Sequence, residues 1–176
     1  MATIDLLPAP PGILLSRIES APFGQHAYVL AREGASECLV FDPGFEPDAI
    51  IDWIDGRGLV PAAILLTHGH SDHIAGVAAL RDRWPGLPIL IGRDDAAKLL
   101  DPSGNLSAAF GLELRSPPAD RTLVDGETVT AAGFTLAVTA IPGHSLGHVV
   151  FRPQGVEPPD RKSTRLNSSH EWISRM

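Results

Sequence analysis

At 176 residues and 18.7 kDa the chain has the size of one domain, and its 44% apolar content suffices for a core, which excludes long disorder and a fibrous protein. Fourteen Lys and Arg against 21 Asp and Glu leave a formal charge of −7, a balance that repels phosphate backbones and anionic membranes, so neither nucleic acid nor a membrane is an expected partner. The single cysteine, Cys38, cannot form an internal disulfide or a finger-type zinc site, so any metal must be held by His and carboxylates.

Met1-Ala2-Thr3-Ile4-Asp5 lacks the basic start and apolar core of a signal peptide, and no apolar stretch approaches the roughly 18 residues that span a bilayer. The expectation is a soluble, cytoplasmic protein. Residues 13–19, 27–31 and 37–41 are short apolar runs separated by Pro22-Phe23-Gly24 and Arg32-Glu33-Gly34, which predicts an opening meander of strands. Asp42-Pro43-Gly44 ends the third run, and Ile50, Ile51 and Ile54 then recur at helical spacing over residues 48–58. Residues 62–67 form a continuous apolar run, the pattern of a strand buried on both faces.

Ile74, Val77, Ala78 and Trp84 predict one helix over residues 73–84, closed by Pro85-Gly86. A strand over 87–91, a short helix over 94–100 and an irregular stretch over 101–120 follow. Residues 121–130 read as strands around the turn signal Asp125-Gly126, residues 134–139 alternate as a half-buried strand, and 148–152 begins another. Strands, then strand-helix alternation, then strands again predict an α+β fold of two sheets packed face to face with helices outside.

Composition changes near Pro159. Residues 1–159 carry 10 − 19 = −9, whereas residues 160–176 carry 4 − 2 = +2 and show no apolar period. The stretch Asp160 to His170 resembles the conceptual translation of a sequencing-adapter oligonucleotide. The expectation is therefore one domain over 1–159 and a non-native, disordered tail over 160–176.

Five of the seven His fall in two short segments. In Thr67-His68-Gly69-His70-Ser71-Asp72-His73, which follows the apolar strand, His68 and His70 project to the same side of an extended chain. Asp72 and His73 open the following helix, where backbone N–H groups favour an ionised carboxylate. Imidazole and carboxylate at this density are the donors of a catalytic zinc site, and unpaired they would carry a large desolvation cost. The second segment, Pro142-Gly143-His144-Ser145-Leu146-Gly147-His148, offers His144 as a further ligand on a second strand-end loop. His148 reads as a ligand, a residue beside the ligands or a surface residue, the last two being favoured, and His26 is expected at the surface or in a hydrogen-bonded core position.

These two motifs, together with Asp42-Pro43-Gly44, resemble the metallo-β-lactamase superfamily and, through the second motif, its glyoxalase II-like hydrolases of the hydroxyacylglutathione hydrolase type. The resemblance covers residues 13–151. It implies a four-layer αββα sandwich, incomplete at the C-terminus, with His68, His70 and His144 on a first metal and Asp72 and His73 on a second. The implied cofactor is a pair of Zn2+ ions, with iron or manganese suited to the same donors. The implied reaction is hydrolysis of a small acyl ester or thioester by a metal-bound hydroxide oriented by Asp72, a glutathione thioester being the substrate class of that branch.

The family pattern continues with a Gly-Asp strand end, whose Asp bridges the metals, and a further His. Glu157 stands in a Pro-rich stretch unlike that strand end, and His170 belongs to the suspected adapter. The 176 residues are therefore expected to be an inactive front portion of a metallo-hydrolase. Two other readings are a non-haem iron persulfide dioxygenase of the same fold and an inert metal-binding module.

Overall fold

A computed structural model describes residues 2–21 and 23–156. The expected tail over 160–176, Glu157 and His170 lie outside the described residues.

The chain opens as the predicted antiparallel meander: β1 (Thr3–Leu6), β2 (Ile13–Ser20), β3 (Gln25–Arg32) and β4 (Glu37–Phe41) pair in sequence order. Helix α1 (Pro47–Asp55) then carries it over the sheet into β5 (Val60–Leu66), which pairs parallel to β4. Helices α2 (Ser71–Ile74) and α3 (Val77–Arg83) make the next crossover, into β6 (Ile89–Gly92), and β7 (Arg121–Leu123) completes seven strands in the order β1-β2-β3-β4-β5-β6-β7. The second sheet is an antiparallel three-stranded unit of β8 (Thr128–Ala131), β9 (Phe134–Ala140) and β10 (Val149–Pro153), ordered β10-β9-β8.

The apolar run in β5 has the predicted cause. Ile64 and Leu66 pack beneath the helices with Ile50, Trp53 and Leu80, while Ala63 and Leu65 face the second sheet with Phe134, Leu136 and Phe151. Both faces of the strand are buried, so alternation disappears. The rings of Phe41 and Phe151 meet edge to face across the inter-sheet core, with centroids 5.8 Å apart. β9 needs only one apolar face, and Phe134, Leu136 and Val138 are buried between half-buried neighbours. Among the described residues three layers are built: helices, seven-stranded sheet and three-stranded sheet. The expected sandwich is thus met in its α, β and β layers.

One expectation is corrected and two are made more specific. The single helix predicted over 73–84 is two, because Gly76 N–H donates to the Pro43 carbonyl (2.8 Å), and its backbone passes so close to the Gly44 carbonyl that a Cβ would stand 2.7 Å away. The segment Arg93–Leu100 is a 3-10 helix. The strands expected around Asp125-Gly126 are present and belong to different sheets: β7 ends the first sheet by pairing with β6, and β8 begins the second by pairing with β9. Among the described residues no helix is long and apolar enough to cross a membrane.

Candidate metal centre

Parallel strands β4, β5 and β6 all end at one edge of the first sheet, so the residues that follow them converge there. Asp42 follows β4, Thr67 and His68 follow β5, and Asp95 follows β6 by three residues. The second sheet reaches the same edge through β10, where Val149 N–H donates to the Thr67 carbonyl (2.9 Å). That bond draws the loop before β10, with His144 and His148, over the end of β5.

His68 is 3% exposed, and its ring lies 4.6 Å from that of His70 and 4.8 Å from that of His144, centroid to centroid. His70, extended at φ −76° and ψ 151°, keeps its ring on the same side as His68, as predicted. One nitrogen from each of His68, His70 and His144 lies within 4.8 Å of the others, a grouping that could hold a metal ion. His70 Nδ1 and His144 Nε2 face each other at 3.0 Å. Two imidazole nitrogens on one tetrahedral zinc stand about 3.3 Å apart when each bond is about 2.05 Å, so this spacing suits a shared cation.

The donor state of His68 is set from behind. Asp42 is wholly buried and accepts the Thr67 N–H (2.7 Å) and the Thr67 hydroxyl (2.6 Å). With its proton given to a carboxylate, Thr67 Oγ1 accepts from His68 Nδ1–H at 3.0 Å. His68 Nε2 is then the bare nitrogen, and it is buried with no hydrogen-bond partner among the described residues. A buried, unpartnered lone pair on a ring packed beside two other imidazoles fits a metal ligand. Burial, followed by the nearby His73, His148, His70 and His144, pushes the His68 pKa far down and keeps the ring neutral. His70 is also lowered, by burial and then by His144 and Lys98.

Asp72 and His73 stand beside this set, on α2. The His73 ring lies 4.1 Å from that of His68, its Nδ1 3.1 Å from Asp42 Oδ2 and its Nε2 3.5 Å from Asp72 Oδ2. Burial works to lower the His73 pKa, but Asp42 and then Asp72 outweigh it, and the net direction is upward. His148 has its ring 4.8 Å from His68 and 6.0 Å from His144, so it walls the cluster rather than facing away from it. His26 lies on β3 and faces Glu19 of β2 at 3.6 Å.

Sequence reasoning read Asp42 only as part of a turn and passed over Asp95. The signal for both was a carboxylate just beyond a buried parallel strand. Asp95 is wholly buried and accepts Gly69 N–H (2.8 Å), Gly147 N–H (2.9 Å) and the Ser145 hydroxyl (2.7 Å), with Lys98 Nζ at 3.1 Å.

Comparison with known proteins places this geometry. Residues 21–155 match the family model for the Metallo-beta-lactamase superfamily. The chain is 35% identical over 136 residues to the probable metallo-hydrolase YqgX of Bacillus subtilis (strain 168), covering 77% of this chain and 63% of that protein. It is 34% identical over 133 residues to a hydroxyacylglutathione hydrolase of Serratia proteamaculans (strain 568), covering 75% of this chain and 45% of that one. The chain thus spans between about half and two thirds of the length of these relatives. Among solved structures, the BLEG-1 B3 metallo-beta-lactamase superposes with a TM-score of 0.74 at 36% identity, over 80% of this chain and 67% of that chain.

Proposed function

Because this chain belongs to the metallo-beta-lactamase superfamily, we propose that His68, His70 and His144 ligate one divalent metal, that Asp72 and His73 serve a second, and that the activity served is hydrolysis of a small acyl ester or thioester. The observation that carries this reading is the buried, unpartnered Nε2 of His68, left bare by the Asp42–Thr67 pair on the other ring nitrogen, in a cluster with His70 and His144.

Zinc suits a set of three imidazoles, and iron or manganese suits a neighbouring site with a carboxylate. A divalent metal in such a set supplies two things: a bound water acidic enough to ionise near neutral pH, and polarisation of the scissile carbonyl. The remaining work falls to the chain. Asp42 and Thr67 hold His68 in one tautomer, so its nitrogen is presented without reorganisation. Asp72, partly exposed beside His73, is placed to accept a proton from the attacking water and orient it toward the carbonyl carbon. No Ser or Cys nucleophile is required.

The hydroxyacylglutathione hydrolase relatives favour a glutathione thioester as substrate, and the cytoplasm, where glutathione is held, as the setting. BLEG-1 favours a β-lactam instead. The 176-residue chain itself is proposed to bind one metal and to turn over neither, the activity residing in a longer chain that adds a bridging carboxylate and a further His. The test is to recover the reading frame beyond codon 159 by resequencing and to assay both proteins, metal-loaded, on S-lactoylglutathione, a chromogenic β-lactam and glutathione persulfide. Thioester hydrolysis confined to the longer protein is the expected result. Preference for the β-lactam, or oxygen consumption with the persulfide, would replace the substrate reading; robust turnover by the 176 residues would contradict the inactive one.

A further inference from the structure

We propose that Asp95 is a positioning residue that sets the spacing between the two histidine-bearing loops, an inference that rests on the three-histidine metal site. Gly69, whose N–H reaches Asp95 Oδ2, lies between His68 and His70 in the chain. Ser145 and Gly147, which reach the same carboxylate, lie between His144 and His148. One buried side chain therefore joins both loops through their backbone and a hydroxyl, with nothing flexible between.

The 3-10 segment Arg93–Leu100 is wedged between the loops closely enough that both must carry glycine where they touch it. A Cβ on Gly147 would stand 2.4 Å from Asp95 N, and a Cβ on Gly69 would stand 2.8 Å from Lys98 Cβ and 3.1 Å from the Asp95 carbonyl oxygen. Burying a carboxylate is costly unless its oxygens are satisfied, and here the two N–H groups, the Ser145 hydroxyl and the Lys98 ammonium fill its acceptor sites. Lys98 also donates to Ser145, which ties the ammonium into the same network. His70 Nδ1 and His144 Nε2, the pair facing at 3.0 Å, belong one to each loop, so the width of the clamp fixes their separation.

Asp95→Asn keeps the shape but replaces one acceptor oxygen with an NH2 donor, so it cannot accept from both Gly69 and Gly147. Asp120→Asn serves as control: Asp120 accepts from Arg81 at 2.9 Å twice and from Ile89 N–H at 2.9 Å, and it touches neither loop. Zinc dissociation constants of the full 176-residue chain are measured by competition with a chromophoric chelator, and amide hydrogen exchange is followed on the metal-free proteins. D95N is expected to weaken zinc binding 10- to 100-fold and to speed exchange at both Gly69 and Gly147. D120N is expected to lower Tm while leaving the zinc Kd within twofold.

Ser145→Ala removes one of the bonds and is expected to weaken zinc several-fold, which keeps the test available if D95N does not fold. An unchanged Kd in D95N and S145A, or a loss matched by D120N, overturns the proposal. Failure of the unsubstituted chain to bind zinc would sink the metal reading instead. The exchange data then decide the clamp alone: faster exchange at both glycines of D95N upholds it, and exchange unchanged at either one overturns it.

Discussion

Thr67 Oγ1 gives its proton to Asp42 at 2.6 Å and takes one from His68 Nδ1 at 3.0 Å, so a hydroxyl decides which nitrogen of His68 is free. Thr67→Val keeps the shape and removes the hydroxyl. Buried Asp42 loses one of its hydrogen-bond donors and His68 loses its fixed tautomer. The expected outcome is a zinc Kd weakened 10- to 100-fold and a fold destabilised by about 1–3 kcal/mol, measured by chelator competition and urea unfolding. Thr67→Ser, which restores the hydroxyl, recovers most of both.

Asp95 predicts an acid limb in stability. Burial acts to raise its pKa, but the hydrogen bonds from Ser145, Gly69, Gly147 and Lys98 outweigh it and hold the group below the ordinary 3.8. A carboxyl depressed in the folded state stabilises fully above its unfolded pKa, and that contribution is lost as pH falls through the folded value. The urea midpoint is therefore expected to fall below about pH 4, near the ordinary value of an aspartate in the unfolded chain. In Asp95→Asn the midpoint is lower at pH 7 and falls less between pH 5 and pH 3. An equally steep fall in the variant would remove Asp95 as a cause.

Cys38 is wholly buried on β4, and burial, with the Glu37 charge next to it, pushes its thiol up to about 12. The native protein should react with a thiol reagent at pH 8 about a thousandfold more slowly than the unfolded chain, since the thiolate is the reactive form. One thiol per chain should appear on adding denaturant. Fast labelling of the folded protein would show that β4 opens readily.

Much of this architecture was legible because it follows from local pattern. The continuous apolar run before His68 announced a strand covered on both faces, and the alternation from Phe134 to Val138 announced one covered on a single face. His68 and His70 were legible as a pair because an extended chain repeats its side-chain direction every two residues. The break at Gly76 was not, because its cause is Pro43, in a distant loop, accepting its N–H. The sheet switch at Asp125-Gly126 was hidden for a similar reason: a turn signal says where the chain bends, not which strand it will then meet. Asp95 escaped notice because Gly69 and Gly147 donate backbone N–H groups, which leave no trace in side-chain identity.

Metal stoichiometry tests the three-histidine site most directly. The purified chain, stripped with chelator, is dialysed against zinc and its bound metal measured by elemental analysis, alongside His68→Ala, His70→Ala, His144→Ala and His26→Ala. The prediction is one zinc per chain, retained in H26A and lost in each of the other three. Undiminished zinc in H68A, or no zinc in the unsubstituted chain, would contradict it.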